Sequence, residues 1–129
     1  MGLTRLKKRA DFLRVAGARV FVKTQTVIVQ CCYLEKEEFV PAGVRVGFTA
    51  SKRVGNAVKR NLSKRRLRAW VDKNLEARIP VPLTGSCDFV FIALVSTGDA
   101  DFGKLSGDLS YAVDRCLRQV GLKNSPDNT

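Results

Sequence analysis

Apolar and polar residues along this chain alternate with two different spacings. Segments rich in β-branched and aromatic residues at 20–22 and 26–34 predict two strands, and the alternating segment 44–51 predicts a third. The almost continuous apolar segment 88–95 predicts a further strand that is buried on much of both faces. These four segments favour one sheet.

Segments with the apolar spacing of helices lie before, between and after the predicted strands. A short helix is predicted at roughly 8–16, and a second from 57 to about 78, with Asn56 as its N-cap residue. Apolar residues recur every three or four positions across 102–120, which is typical of an amphipathic helix packed on a core. The order of elements is helix, strands, long helix, strand, helix.

This order predicts an α/β (α+β) two-layer sandwich in which helices pack on a mixed sheet of about four strands. We expect residues 1–122 to form a single domain, because no Gly/Ser/Pro-rich linker divides them. The polar segment 123–129 is expected to be a disordered tail.

Positive charge is concentrated in two parts of the chain, residues 1–30 and 39–71. The formal net charge is +11, and residues 39–71 contain nine Lys or Arg and no Asp or Glu. Such a surface indicates a polyanionic partner. A membrane partner is not expected, since the basic helix lacks a wide apolar face and no segment has the roughly 18 to 20 apolar residues of a spanning helix.

Candidate catalytic and metal-binding residues are few. The chain has no histidine, and its four cysteines lack Cys-x-x-Cys spacing, so we expect buried thiols, no metal site and no catalytic side chain. The N-terminal residues lack the apolar segment of a secretory signal, which predicts a cytoplasmic location.

The second helix separates its cations from its apolar residues. Leu67, Trp70 and Val71 should face the sheet. Four polar residues at i, i+3, i+4 and i+7 share a different face, namely Asn61, Lys64, Arg65 and Arg68. A solvated helix normally alternates the sign of its charges, so this face indicates a binding surface.

The segment RVGFTASKRVGNAVKRN at 45–61, followed by Lys64-Arg65 and Arg68, resembles the signature of the bacterial ribonuclease P protein component. Residues 6–12 are similar to the N-terminal helix of that family. The resemblance implies a protein cofactor of a catalytic RNA that removes the 5′ leader of precursor tRNA. It also implies a left-handed βαβ crossover.

The resemblance also implies roles for individual residues. Arg9 and Phe12 would line the cleft that holds the leader. The residues that would bind RNA are Lys52, Arg53, Lys59, Arg60, Asn61, Lys64, Arg65 and Arg68. The protein would bind no cofactor alone, magnesium would belong to the RNA holoenzyme, and no protein partner would be required.

Two positions depart from the family pattern. Leu62 stands where the family usually has a cation, and its place on the helix predicts partial exposure. Ala16 stands where the family often has an aromatic residue, which leaves Phe21 as a possible substitute.

Three other functions are compatible with parts of the sequence. A stand-alone RNA-binding or ribosome-associated protein could use the same helix without any reaction. A helix-turn-helix protein is disfavoured because a strand precedes the basic helix. A metal-dependent nuclease would have only Asp99, Asp101 and Asp108 as ligands, and helix capping and turn formation explain those acids better.

Overall fold

Five strands form a single mixed sheet in the computed structural model, which describes residues 3–35, 42–80 and 83–122. The strands are β1 (Leu3–Arg5), β2 (Val20–Lys23), β3 (Val27–Glu35), β4 (Gly43–Thr49) and β5 (Gly85–Ala93). The sheet order is β1-β4-β5-β3-β2. The pairs β1–β4 and β4–β5 are parallel, whereas β5–β3 and β3–β2 are antiparallel.

Three helices complete the fold, namely α1 (Arg9–Gly17), α2 (Ala57–Asn74) and α3 (Phe102–Gln119). The predicted α+β class is confirmed, and the sheet has one strand more than predicted. The additional strand, β1, has only three residues and is defined by its pairing with β4. Three residues are too few for alternation of apolar and polar positions to predict a strand.

Helices α2 and α3 cover one face of the sheet. Leu67, Trp70 and Val71 are fully or almost fully buried there, which confirms the predicted orientation of α2. The Trp70 indole N–H donates to Ser106 Oγ at 3.0 Å and thereby joins the two helices. This face contains the main hydrophobic core.

Helix α1 covers part of the opposite face. Val15 and the half-buried Phe12 pack there with Leu6, Cys32 and Val90. All four cysteines are buried and free, as predicted. Burial raises the pKa of Cys116, which lies in α3, to about 12. A thiol with so high a pKa does not form a reactive thiolate.

Some element boundaries differ from the predictions. Helix α2 ends at Asn74, and a short 3₁₀ turn at Glu76–Arg78 follows it. Strand β5 begins three residues earlier than predicted, at Gly85. The predicted disordered tail at 123–129 lies outside the described residues.

The hand of the β4–α2–β5 connection follows from the geometry of β4. The Val46 carbonyl accepts the Leu6 N–H at 2.8 Å and so points toward β1, while the Val46 side chain lies in the core shared with α2. In a strand of L-residues that runs upward, with this side chain toward the viewer, the carbonyl points right. Seen from α2, β1 is therefore to the right of β4 and β5 to its left. The crossover is left-handed, as expected, which is the rare hand.

A buried carboxylate joins α1 to the sheet. Asp88 is fully buried in β5 and accepts hydrogen bonds from Arg45 at 2.8 and 3.0 Å and from Arg14 at 2.7 Å. Ser86 Oγ donates to the same carboxylate at 2.9 Å. Burial acts to raise the pKa of Asp88, but the hydrogen bonds that it accepts outweigh burial and hold the pKa below 3.8.

We predict that Asp88→Asn lowers the free energy of unfolding at pH 7 by about 3 kcal/mol, because it leaves two arginines without their buried partner. The folded-state pKa of Asp88 is depressed, so its stabilisation is present above the unfolded-state pKa and is lost as the pH falls through the folded-state value. The difference between wild type and variant should therefore shrink in acid. Urea unfolding from pH 7 to pH 2.5 measures it, with the exposed Asp72→Asn as control. A difference that does not depend on pH would contradict the prediction.

Candidate nucleic-acid interface

The start of α2 is fixed by local hydrogen bonds. Asn56 is the N-cap residue, as predicted, and its Oδ1 accepts the Lys59 N–H at 3.0 Å. A 3₁₀ turn at Lys52–Val54 precedes it, in which Ser51 Oγ accepts the Arg53 N–H at 3.3 Å. Gly55 joins the turn to the helix with φ of 140°, a conformation that favours glycine. Lys52 and Arg53 are therefore held exposed just before the helix.

Four predicted RNA-binding residues of α2 share one face, and we call this set, Asn61, Lys64, Arg65 and Arg68, the basic stripe. Asn61 and Arg65 are exposed, whereas Lys64 and Arg68 are half-buried. Lys59 and Arg60 flank the stripe. Arg60 is half-buried, and its Nε has no hydrogen-bond partner in the described part of the chain.

The cations of α2 form no ion pair with an acid in the described part of the chain. Within residues 3–35, 42–80 and 83–122, the ion pairs involve Arg14, Arg45, Arg78 and Lys104, and none includes a cation of α2. Like charges one turn apart on a helix destabilise it by a few tenths of a kcal/mol per pair. A bound polyanion would relieve this repulsion.

Arg66 differs from its neighbours. Its guanidinium donates to the carbonyls of Thr97, Gly98 and Ala100, each at 2.8 Å. It also lies 5.4 Å from the centre of the Phe102 ring. Arg66 therefore fixes the loop before α3 to α2. No local pattern indicates this role, because the loop is about thirty residues away in the chain.

The predicted cleft residues lie on the other face of the sheet. Arg9 is exposed at the start of α1, and Phe12 is half-buried with its ring against Gly47. A Cβ added at Gly47 would lie 2.5 Å from Phe12 Cε1, so this glycine makes room for the ring. Phe12 is consequently part of the packing as well as of the surface.

A second aromatic residue lies on the same face. Phe21 in the edge strand β2 is 56% exposed, and its neighbour Val22 points into the core on the opposite face. It pairs in register with Gln30. Because side chains alternate along β2, Phe21 lies on the face of the sheet that α1 covers. The sequence alone left the role of Phe21 open.

The two surfaces are close along the chain. Gly47 lies beneath Phe12, and Lys52 follows it by five residues. Five residues span at most about 18 Å even when fully extended. Lys52, just before α2, therefore lies within about 18 Å of Gly47.

Two of the three acids considered for a nuclease site make structural hydrogen bonds. Asp101 accepts the Lys104 N–H at the start of α3, and Asp108 accepts the Thr26 hydroxyl at 2.9 Å. Asp99 is exposed. No three Cys, Asp or Glu side chains in the described ranges are grouped so that they could hold a metal ion.

Leu62 lies beside the basic stripe and is 38% exposed, which confirms its predicted partial exposure. Its side chain faces the loop that Arg66 holds, near Gly98.

We predict opposite effects for two adjacent arginines. Arg66→Ala should lower the free energy of unfolding by roughly 2 kcal/mol and the melting temperature by several degrees, since it removes three hydrogen bonds to the loop. Arg65→Ala should change the free energy of unfolding by no more than about 0.5 kcal/mol and leave the melting temperature almost unchanged, because Arg65 is exposed. Thermal and urea unfolding of both variants test this, and equal losses would show that Arg66 has no special structural role.

The chain is similar to known proteins over most of its length. The family model Ribonuclease P matches residues 2–117. The ribonuclease P protein component of Paramagnetospirillum magneticum is 37% identical over 127 residues, which cover 97% of this chain and 92% of that protein. The protein of the same description from Gluconacetobacter diazotrophicus is 39% identical and covers 94% of each chain.

Solved structures give the same result. The structure of the Staphylococcus aureus RNase P protein superimposes with a TM-score of 0.66 at 27% identity and covers 92% of this chain and 96% of that one. The family match extends over both the basic stripe and the α1 surface. On this sequence and structural similarity, the chain belongs to the ribonuclease P protein component family.

Proposed function

We propose that this chain is the protein subunit of a bacterial ribonuclease P and assists removal of the 5′ leader from precursor tRNA. The observation that carries the proposal is the row of cations on α2 without acidic partners in the described residues, in a chain of this family. The described residues contain no helix that is long and apolar enough to cross a membrane. We expect the complex to act in the cytoplasm.

The basic stripe binds the catalytic RNA in this proposal. Arg65 and Arg68 contact phosphates, and Asn61 adds a donor and an acceptor that can recognise a sugar or a base edge. Lys52 and Arg53 extend the contact at the N-terminus of α2, where the helix dipole favours phosphate. Lys59, Arg60 and Lys64 complete the cationic surface.

The leader lies on the face of α1. Arg9 supplies a charge for its phosphates, while Phe12 and the exposed Phe21 offer aromatic surface to its unpaired bases. The close spacing of this face and the basic stripe explains how a single protein of 129 residues contacts both RNAs.

Catalysis belongs to the RNA in this proposal. The RNA with its bound magnesium hydrolyses the phosphodiester, and the protein holds the leader and reduces repulsion between phosphates. The chain has no histidine, and the buried Asp88 is engaged by two arginines. These features support an accessory role that needs no protein catalytic group. We expect that no second protein is required. A stand-alone RNA-binding protein is the alternative.

Reconstitution tests the proposal. We predict that the protein freed of RNA does not cleave precursor tRNA, and that adding a ribonuclease P RNA from a related bacterium gives cleavage at lower magnesium than this RNA needs alone. Affinity should also be greater for a substrate with a long leader than for one with a single-nucleotide leader, since only the long leader reaches the α1 face. RNA binding without any effect on cleavage would favour the stand-alone alternative.

Salt dependence tests the interface. Arg65→Ala and Arg68→Ala should each weaken binding to the catalytic RNA and reduce the slope of log K against log salt by about one phosphate contact. Arg115→Ala and Arg118→Ala on α3 are matched controls and should change the slope little. Equal effects from both pairs, measured by filter binding across a range of KCl concentrations, would mean that the charge acts diffusely.

A further inference from the structure

An apolar patch borders the basic stripe. It consists of Val58 and Leu62, one turn apart on α2, and Val95 from the loop before α3, which are 76%, 38% and 62% exposed. Exposed apolar residues that occur singly are ordinary. Here Leu62 adjoins Val58 along α2 and lines the same surface depression as Val95. The three therefore form a row beside the basic stripe, and such a row indicates a contact.

A shallow depression lies at this patch. Leu62 and Val95 form apolar walls, and Lys59 and Asp99 supply the charges at its edge. Asp99 is exposed, and its carboxylate makes no hydrogen bond to a described residue within 3–35, 42–80 or 83–122. The depression thus combines apolar surface with one unpaired acceptor.

The depression is held in a fixed shape. Arg66 binds three carbonyls of the loop, and Ser96 Oγ donates to the Gln25 carbonyl at 2.6 Å. Thr97 Oγ1 accepts the Leu94 N–H at 2.8 Å and donates to the Thr26 carbonyl. Val95 and Asp99 are therefore positioned against α2 before any partner binds, which lowers the entropy cost of binding.

The charges indicate what covers the patch. A partner that neutralises the basic stripe is a polyanion and extends over the adjoining patch. A phosphate does not suit the apolar walls, because valine and leucine donate no hydrogen bonds, and at the edge the negative charge of Asp99 offsets the positive charge of Lys59. A second copy of the chain does not suit it either, since two surfaces of a chain with net charge +11 would repel.

We infer that the patch of Val58, Leu62 and Val95 receives one unpaired base of the catalytic RNA, and that this base carries an exocyclic amino group. The base packs its face on the apolar residues, and its amino group donates to Asp99. This inference rests on the proposed function, since the RNA is the one that the basic stripe binds. It gives Leu62, at the position where the family usually has a cation, an apolar contact in place of an ionic one.

Binding of ribonuclease P RNA as a function of KCl tests the inference. Val58→Ser and Val95→Ser should each weaken binding by about 3- to 10-fold at every salt concentration and leave the slope unchanged, because the lost contact is apolar. Tyr111→Ser is the control, since Tyr111 is 54% exposed on α3, away from the patch, and it should change nothing. Affinities equal to wild type, or a changed slope, would overturn the inference.

Asp99→Ala should change RNA affinity in opposite directions for a base and for a phosphate in the depression. If an amino-bearing base donates to Asp99, the variant binds RNA more weakly, whereas a phosphate in the depression would make it bind more tightly. Probing of the RNA with dimethyl sulfate and kethoxal should show one adenine, cytosine or guanine protected by wild-type protein and exposed with Val95→Ser. Tighter binding by Asp99→Ala, or a wild-type dimer in sedimentation that Val95→Ser dissociates, would contradict the proposal.

The controls separate this inference from the proposed function. If Arg65→Ala fails to reduce the salt slope, the basic stripe is not the RNA interface and the proposed function fails. If Arg65→Ala behaves as predicted while both valine variants bind like wild type, only the base contact is wrong.

Discussion

Burial of one side of α2 is the interaction on which the rest of the structure depends. Each large apolar side chain that α2 buries, such as Leu67 or Trp70, contributes roughly 1.5 to 3 kcal/mol. Repulsion between cations one turn apart costs only about 0.2 to 0.5 kcal/mol per pair. Burial therefore exceeds repulsion severalfold, and the helix can carry a row of like charges on its outer side without unfolding.

The opposite face of the sheet combines a small apolar cluster with a buried charge cluster. Helix α1 has only nine residues, and its few apolar contacts are supplemented by Arg14, which reaches the buried Asp88. Arg45 from β4 meets the same carboxylate, so that one acid orients both a helix and a strand. The positions of Arg9 and Phe12 follow from this anchor.

The sequence predicted the features that depend on local pattern. The fold class, the cap at Asn56 and the face of α2 follow from periodicity and charge within a few residues. Strand β1 could not be predicted, because pairing with β4 defines it. The roles of Arg66 and Asp88 could not be predicted either, because they depend on contacts between distant segments. Arg66 contacts the loop before α3, and Asp88 meets Arg45 through the register of β4 against β5. Nothing local distinguishes Arg66 from Arg65.

The sheet order has a consequence for synthesis of the chain. Strands β3 and β4 follow one another in sequence but do not pair, and β5 lies between them. Until residues 85–93 leave the ribosome, the chain has a β2–β3 hairpin and a β1–β4 pair with no strand to join them. Helix α2 precedes β5, so its cations emerge before the sheet that supports them is complete. The nascent protein thus presents its polyanion-binding segment before the sheet can close, and only the last strand, β5, followed by α3, completes the core.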